Sequence, residues 1–154
     1  MPEYILADSN AEYEAAARLF QEYADWLGID LSFQHFEEEL TAIKKMYAAP
    51  HGGIILCRNE TAWIGCIAVR RFGENIGELK RMYVQPAFQG KGIGKDLLER
   101  ALQLAEKCDY KKVYLDTLNT MTPAMNLYKQ AGFEERIAYY HNPHENVVYF
   151  EKEL

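Results

Sequence analysis

One stretch constrains this chain more than any other: Val84-Gln85-Pro86-Ala87-Phe88-Gln89-Gly90-Lys91-Gly92-Ile93-Gly94-Lys95. It joins a strand-like run, Glu78 to Val84, to a strongly amphipathic segment from Gly92 to about Lys107. Glycine has no Cβ, so a ligand can come close to the backbone there. The first amides of a helix lack intrahelical partners and lie at the positive end of its dipole. A strand, a glycine loop and a helix N-terminus in this order form an anion site suited to phosphate.

Spacing excludes two common phosphate loops. A P-loop needs Gly-Lys followed by Ser or Thr, but Lys91 precedes Gly92 and Lys95 precedes Asp96. A dinucleotide fingerprint needs G-x-G-x-x-G/A; its last position falls on Lys95 or Leu97.

The rest of the chain sets the context. Its 154 residues suit a single domain spanning 1–154. The longest apolar runs, such as Gly53 to Cys57, are far too short to cross a membrane. Met1 is followed by Pro2 and Glu3 with no basic-then-apolar leader, so the expected location is cytoplasmic. A net charge of −6 argues against a nucleic-acid partner. Cys57, Cys66 and Cys108 each lie in an apolar run and read as buried thiols, while the four histidines are not spaced like metal ligands.

Periodicity predicts a strand at Tyr4–Ala7 and a helix from about Ala11 to Leu27, stopped by Gly28. A second helix is predicted from Phe33 or Gln34 to Ala48. Strands follow at 54–58, 63–71 and 76–84, joined by short turns. After the glycine-loop helix come a strand at 113–117, a helix from Pro123 to Ala131 and a closing pair of strands at 137–140 and 147–151. This β-α-α-β-β-β-α-β-α-β-β order argues for an α/β (α+β) chain with a mixed sheet and helices on its faces.

Two segments then point to a family. Gln89-Gly90-Lys91-Gly92-Ile93-Gly94 fits Q/R-x-x-G-x-G/A, and Ala124-Met125-Asn126-Leu127-Tyr128-Lys129-Gln130-Ala131-Gly132-Phe133 fits A-x-x-L-Y-x-x-x-G-F at every fixed position. In this order and topology, the chain resembles the GNAT acetyltransferase superfamily. The resemblance covers nearly the whole chain and is most specific from Glu78 to Phe133. It implies a GNAT fold: a mixed, mostly antiparallel twisted sheet of about seven strands flanked by about four helices.

The resemblance also implies acetyl-CoA as co-substrate, no metal, and direct attack by a primary amine of a small molecule in a ternary complex. Tyr128 is then the general acid for the leaving thiolate, and a phenol with an ordinary pKa of about 10 is protonated at neutral pH. Glu78 takes the place of the carboxylate base, with Asp116 as the backup. The backbones of Met82 and Val84 are expected to pair with the pantetheine arm. Gln89, Gly90, Lys91, Gly92, Ile93, Gly94 and Lys95 are expected to hold the pyrophosphate. Asn119 and Asn126 are candidate cofactor contacts, although the family's asparagine three residues before the alanine is Met121 here. Simple alternation places Glu78, Lys80, Met82 and Val84 on one face of the strand, and Leu79, Arg81 and Tyr83 on the other.

The fold would wall the acceptor site with residues 26–34 and 139–143. Trp26, Asp30, Phe33, Arg81, Tyr139 and Tyr140 are therefore its candidate residues. Asp30 would select a cation, whereas Arg81 or His141 would select a carboxylate. A non-catalytic acyl-CoA-binding or sensing module and an acyltransferase acting on protein amines are the alternatives. The sequence is compatible with a homodimer.

Overall fold

The computed structural model describes residues 1–28, 30–31 and 35–154. In chain order its elements are β1 (Pro2–Leu6), α1 (Asn10–Leu27), α2 (Phe36–Thr41), α3 (Ile43–Met46), β2 (Gly53–Asn59), β3 (Ala62–Gly73), β4 (Ile76–Val84), a 3-10 turn at Pro86–Phe88, α4 (Ile93–Lys107), β5 (Lys112–Leu118), α5 (Thr122–Gln130), β6 (Glu134–Arg136) and β7 (Val147–Glu153). The strands form one seven-stranded sheet in the order β1-β2-β3-β4-β5-β7-β6. Every neighbouring pair is antiparallel except β4 and β5.

Local chemistry starts and stops α1. The Ser9 side chain accepts from the Glu12 amide at 3.2 Å, and the Glu12 carboxylate accepts from the Ser9 amide at 3.0 Å. This reciprocal capping box satisfies amides that the helix cannot. Gly28 ends the helix in the left-handed conformation, at φ 70°.

The sheet's period of two builds two cores. Ile54, Leu56, Cys66 and Ala68 face α1–α3, where they meet Leu19, Phe20, Phe36, Ile43 and Tyr47. Ile55, Cys57, Ile67 and Val69 face the other way, toward Ile93, Leu97, Leu98 and Ala101 of α4 and Tyr128 of α5.

Two sequence expectations change. The helix expected up to Ala48 breaks at Ala42 into α2 and α3, since Ala42 leaves helical geometry at φ −104°, ψ 19°. The strand expected at 137–140 does not form; β7 pairs instead with Glu134–Arg136. Ile137 is exposed, and the hydroxyls of Tyr139 and Tyr140 reach across to Glu78 and Asp116. Those two polar anchors shape the segment more than its alternation does.

Where β4 meets β5, pairing covers only Ile76–Glu78 against Lys112–Tyr114. Beyond Glu78 the two strands part, and the site lies in that opening.

Candidate active site

The glycine loop lies at the mouth of the β4–β5 opening. A cleft of about 410 Å³ is lined there by Met82, Tyr83 and Val84 of β4, by Phe88, Gln89 and Gly90 of the loop, and by Gly92, Ile93, Gly94 and Lys95 at the start of α4. Thr120, Met121, Pro123, Ala124 and Leu127 close the opposite side, and Trp26 reaches in from α1. Gly90 and Gly92 have φ of 79° and 83°. A Cβ at either would meet nothing within 4 Å, so these positions need glycine for the turn rather than for space.

No side chain caps α4; Gly92 is its N-cap. Its leading amides are left for whatever occupies the cleft. Gln89 steadies the loop by donating from Nε2 to the Val84 carbonyl at 2.9 Å. Lys91 lies outside the cleft lining, its ammonium 5.6 Å from the Phe88 ring centre. Asn119 and Asn126 are exposed and also lie outside the lining.

The β4 strand does not alternate simply. Tyr83 pairs with Cys66 and Lys80 with Ala68, so Arg81 and Met82 together oppose Ile67. This is a β-bulge, with Arg81 in the left-handed region at φ 59°. The bulge shifts the phase of the strand. Met82 and Val84 join Leu79 on the α4 side, and Tyr83 turns toward α1. The alternation expected across Glu78–Val84 is therefore corrected at Arg81.

A non-glycine residue at positive φ costs on the order of 1–3 kcal/mol and persists where its surroundings over-determine it. Here the guanidinium donates to both oxygens of Glu39 on α2, at 2.7 and 3.0 Å. Tyr47 donates to the same carboxylate at 3.0 Å. Burial pushes Glu39 up, but the hydrogen bonds and charge of Arg81 outweigh it and hold the carboxyl below its usual range. Arg81, expected as a carboxylate selector, has its charge committed to Glu39.

Behind the cleft is a smaller cavity, lined by Tyr23, Lys80, Arg81, Met82, Asp116 and Tyr128 among others. Tyr128 is buried on α5, with its hydroxyl 3.9 Å from the Met82 sulfur. Burial pushes this phenol well above its usual range, helped by Tyr23 and Asp116, so it stays protonated. Asp116 on β5 accepts from the Tyr140 hydroxyl. Burial raises its carboxyl, against the opposing pull of Lys80 and Tyr140.

Glu78 behaves differently. Oε1 accepts from Arg70 Nε at 2.9 Å and Oε2 from the Tyr139 hydroxyl at 2.7 Å. Burial raises this carboxyl, but Lys80, Arg70 and Tyr139 together hold it below its usual range. It lies at the last paired position of β4 and β5, opposite Tyr114.

The structure thus gathers Met82, Val84, Gln89, Gly90, Gly92, Ile93, Gly94, Lys95 and Trp26 around one cleft, with Tyr128 behind it. Tyr139 and Tyr140 pack as neighbouring rings, 5.2 Å apart. Asp30 is exposed in the segment after α1, and Phe33 lies outside the described residues. Lys80 and Tyr23 also line the smaller cavity, and no sequence motif points to either. Cys66 is buried and donates to the Arg81 carbonyl at 3.3 Å, and burial pushes its thiol up. No group of residues able to hold a metal ion occurs among the described residues.

The acetyltransferase (GNAT) family model matches residues 16–133. An uncharacterized N-acetyltransferase of Schizosaccharomyces pombe is 43% identical over 139 residues, covering 88% of this chain and 85% of that protein. An IAA acetyltransferase of Azospirillum brasilense is 30% identical over 137 residues, covering 88% of each. Among solved structures, PaiA N-acetyltransferase of Thermoplasma acidophilum in complex with coenzyme A superposes with a TM-score of 0.77 at 20% identity, over 100% of this chain and 99% of that one. A GNAT acetyltransferase of Elizabethkingia anophelis with acetyl-CoA bound superposes with a TM-score of 0.69 at 22% identity, over 99% of this chain and 98% of that one. The chain belongs to the GNAT family of N-acetyltransferases.

Proposed function

We propose that this enzyme transfers the acetyl group of acetyl-CoA to a primary amine of a small molecule, with both substrates bound at once. The observation that carries this reading is the meeting of two spaces at the β4–β5 opening. One is a glycine-loop cleft at an uncapped helix N-terminus; the other is a buried cavity holding Asp116 and Tyr128. The relatives with bound coenzyme A or acetyl-CoA support the choice of donor.

The residues fit that donor. The amides at the start of α4 suit the pyrophosphate. Met82, Val84, Phe88, Ala124 and Leu127 offer apolar walls for the arm. The unpaired edge of β4 beyond Glu78 offers backbone groups to an extended arm and to the acetyl carbonyl, where a developing oxyanion would be stabilised.

An alkylammonium with a pKa near 10 must lose a proton before it can attack. Asp116 suits that task better than Glu78. It shares a cavity with Tyr128, and its raised carboxyl is a stronger base than an ordinary one. Glu78, held by two donors, keeps its charge and anchors Tyr139. The amine nitrogen then bonds to the acetyl carbon, the C–S bond breaks, Tyr128 gives its proton to the departing sulfur, and the proton that the nitrogen sheds as the amide forms restores the phenol.

The test is thiol release from acetyl-CoA against amines, amino acids and peptides, with Asp116→Asn, Glu78→Gln and Tyr128→Phe measured beside wild type. Turnover of a small amine, lost in Asp116→Asn and Tyr128→Phe while coenzyme A still binds, supports the reading. Tight coenzyme A binding without turnover of any acceptor would replace it with an acyl-CoA sensor, and turnover of peptides alone with a protein acetyltransferase. Gly92→Asp should weaken coenzyme A binding about tenfold or more, because a carboxylate would stand where the pyrophosphate belongs.

A further inference from the structure

The chain carries a net charge of −6, yet one concavity outside the acetyl-transfer site is lined only by positive and neutral groups. It measures about 300 Å³ and lies between α3, the turn after it and the distal part of β3. Its titratable residues are Lys45, His51, Arg70 and Arg71, with no Asp or Glu in the lining. Two separate segments, 45–51 and 70–71, bring these groups together, so the patch is not a single run of neighbouring charges in sequence.

The framework is fixed on both sides. The His51 amide donates to the Ala48 carbonyl at 3.1 Å, and the His51 carbonyl accepts from the Tyr110 hydroxyl. Gly52 lies so close to β3 that a Cβ would fall 2.0 Å from the Val69 carbonyl oxygen. The turn therefore seats tightly against the strand that carries Arg70 and Arg71. Among the described residues, Lys45 and Arg71 make no ion pair with an acid. Arg70 does, through Nε to Glu78. A guanidinium carries five N–H donors in a planar fork, and the bond to Glu78 uses one.

We propose that this concavity binds a small, multiply charged oxyanion of the phosphate class, with Lys45, His51 and Arg71 as its ligands and Arg70 shared between the anion and Glu78. Several like charges held around one hollow favour a polyvalent anion over a single carboxylate. Arginine forks match phosphate oxygens in particular. Because the ligands are solvent-exposed, binding should weaken as salt rises. Through Arg70 the anion stands one side chain away from the carboxylate network of the acetyl-transfer site, so its occupancy should modulate that site without occupying it.

The probe is inorganic pyrophosphate, titrated at low ionic strength and followed by backbone amide shifts. The expected result is saturable binding that moves the amides of residues 45–52 and 70–71. The double variant Lys45→Gln/Arg71→Gln should bind at least tenfold more weakly while keeping the melting temperature and coenzyme A affinity of wild type. Shifts confined to residues 90–95 would overturn the proposal, because the anion would then merely occupy the glycine loop. Unchanged affinity in the double variant, or no saturation in wild type, would overturn it as well.

Discussion

Two carboxylates stand on either side of the bulged β4 strand, and burial raises both, with opposite net outcomes. Glu39, on α2, faces a guanidinium across two short hydrogen bonds and a tyrosine hydroxyl, and its carboxyl is held low. Asp116, on β5, faces an ammonium that does not outweigh desolvation, and its carboxyl is raised. The first site locks the backbone, whereas the second leaves a carboxyl of raised basicity, the base of the proposed mechanism. The difference lies in how completely the partners compensate burial.

Replacing one carboxylate at a time should break this contrast. The largest effect is expected from Glu39→Gln, which strands the buried Arg81 charge and should cost about 3–5 kcal/mol of stability, read as a lower denaturation midpoint. Replacing both partners with apolar residues should cost less than this single change. The pH dependence follows from the sign of the shift. A carboxyl held low in the fold contributes stability that is present above its unfolded pKa of about 4.3 and is lost as pH falls through the folded value. The penalty of Glu39→Gln should therefore shrink in acid.

Asp116→Asn should do the reverse. Turnover should fall on the order of 10²–10⁴-fold, in the range of a lost general base, with no loss of stability. A carboxyl raised by the fold disfavours folding as pH climbs from about 3.9 toward the folded value. The asparagine variant should escape that decline, which equilibrium unfolding across pH 3–7 would reveal.

Glu78→Gln sharpens the comparison, because its carboxyl is held low like Glu39 yet it lies beside the reactive cavity. If Glu78 acts as an anchor, its loss should cost stability at neutral pH and reduce turnover less than Asp116→Asn does. A rate loss equal to that of Asp116→Asn, with stability intact, would return the base role to Glu78. The smallest effect is expected from Tyr140→Phe. It removes a hydrogen bond that favours ionised Asp116 and should cost about 1 kcal/mol. The acidic limb of the rate profile should move to higher pH, since the carboxyl loses one of the contacts that holds it down.

These contrasts mark what the sequence could and could not reveal. The glycine loop was legible because Gly90 and Gly92 are demanded by backbone conformation, which sequence records directly. The three-strand meander from Gly53 to Val84 was legible because both faces are buried over most of its length, even though register shifts at Cys57/Arg58 and Arg71/Gly73 interrupt its alternation. The bulge was not, because an arginine at positive φ makes sense only once Glu39, 42 positions away, is known to hold it. Arg81 looked like a recognition residue for the same reason. The contest between Glu78 and Asp116 could not be decided from spacing, because it depends on which hydroxyls and cations meet each carboxylate. Tyr139 and Tyr140 misled as strand residues because their hydroxyl partners lie on distant strands.

The parting of β4 and β5 has a kinetic side. Past Glu78 and Tyr114 the facing edges of these strands have no ladder with each other, so the free enzyme is in effect one strand short at its centre. An extended acyl donor lying there would be the missing strand. Amide hydrogens on the facing edges beyond that point should exchange quickly in the free protein and slow sharply when the donor is bound. Amides between β2 and β3, already paired over seven positions, should hardly change. On this view the central sheet of the enzyme is completed anew in each catalytic cycle and opened again when coenzyme A leaves.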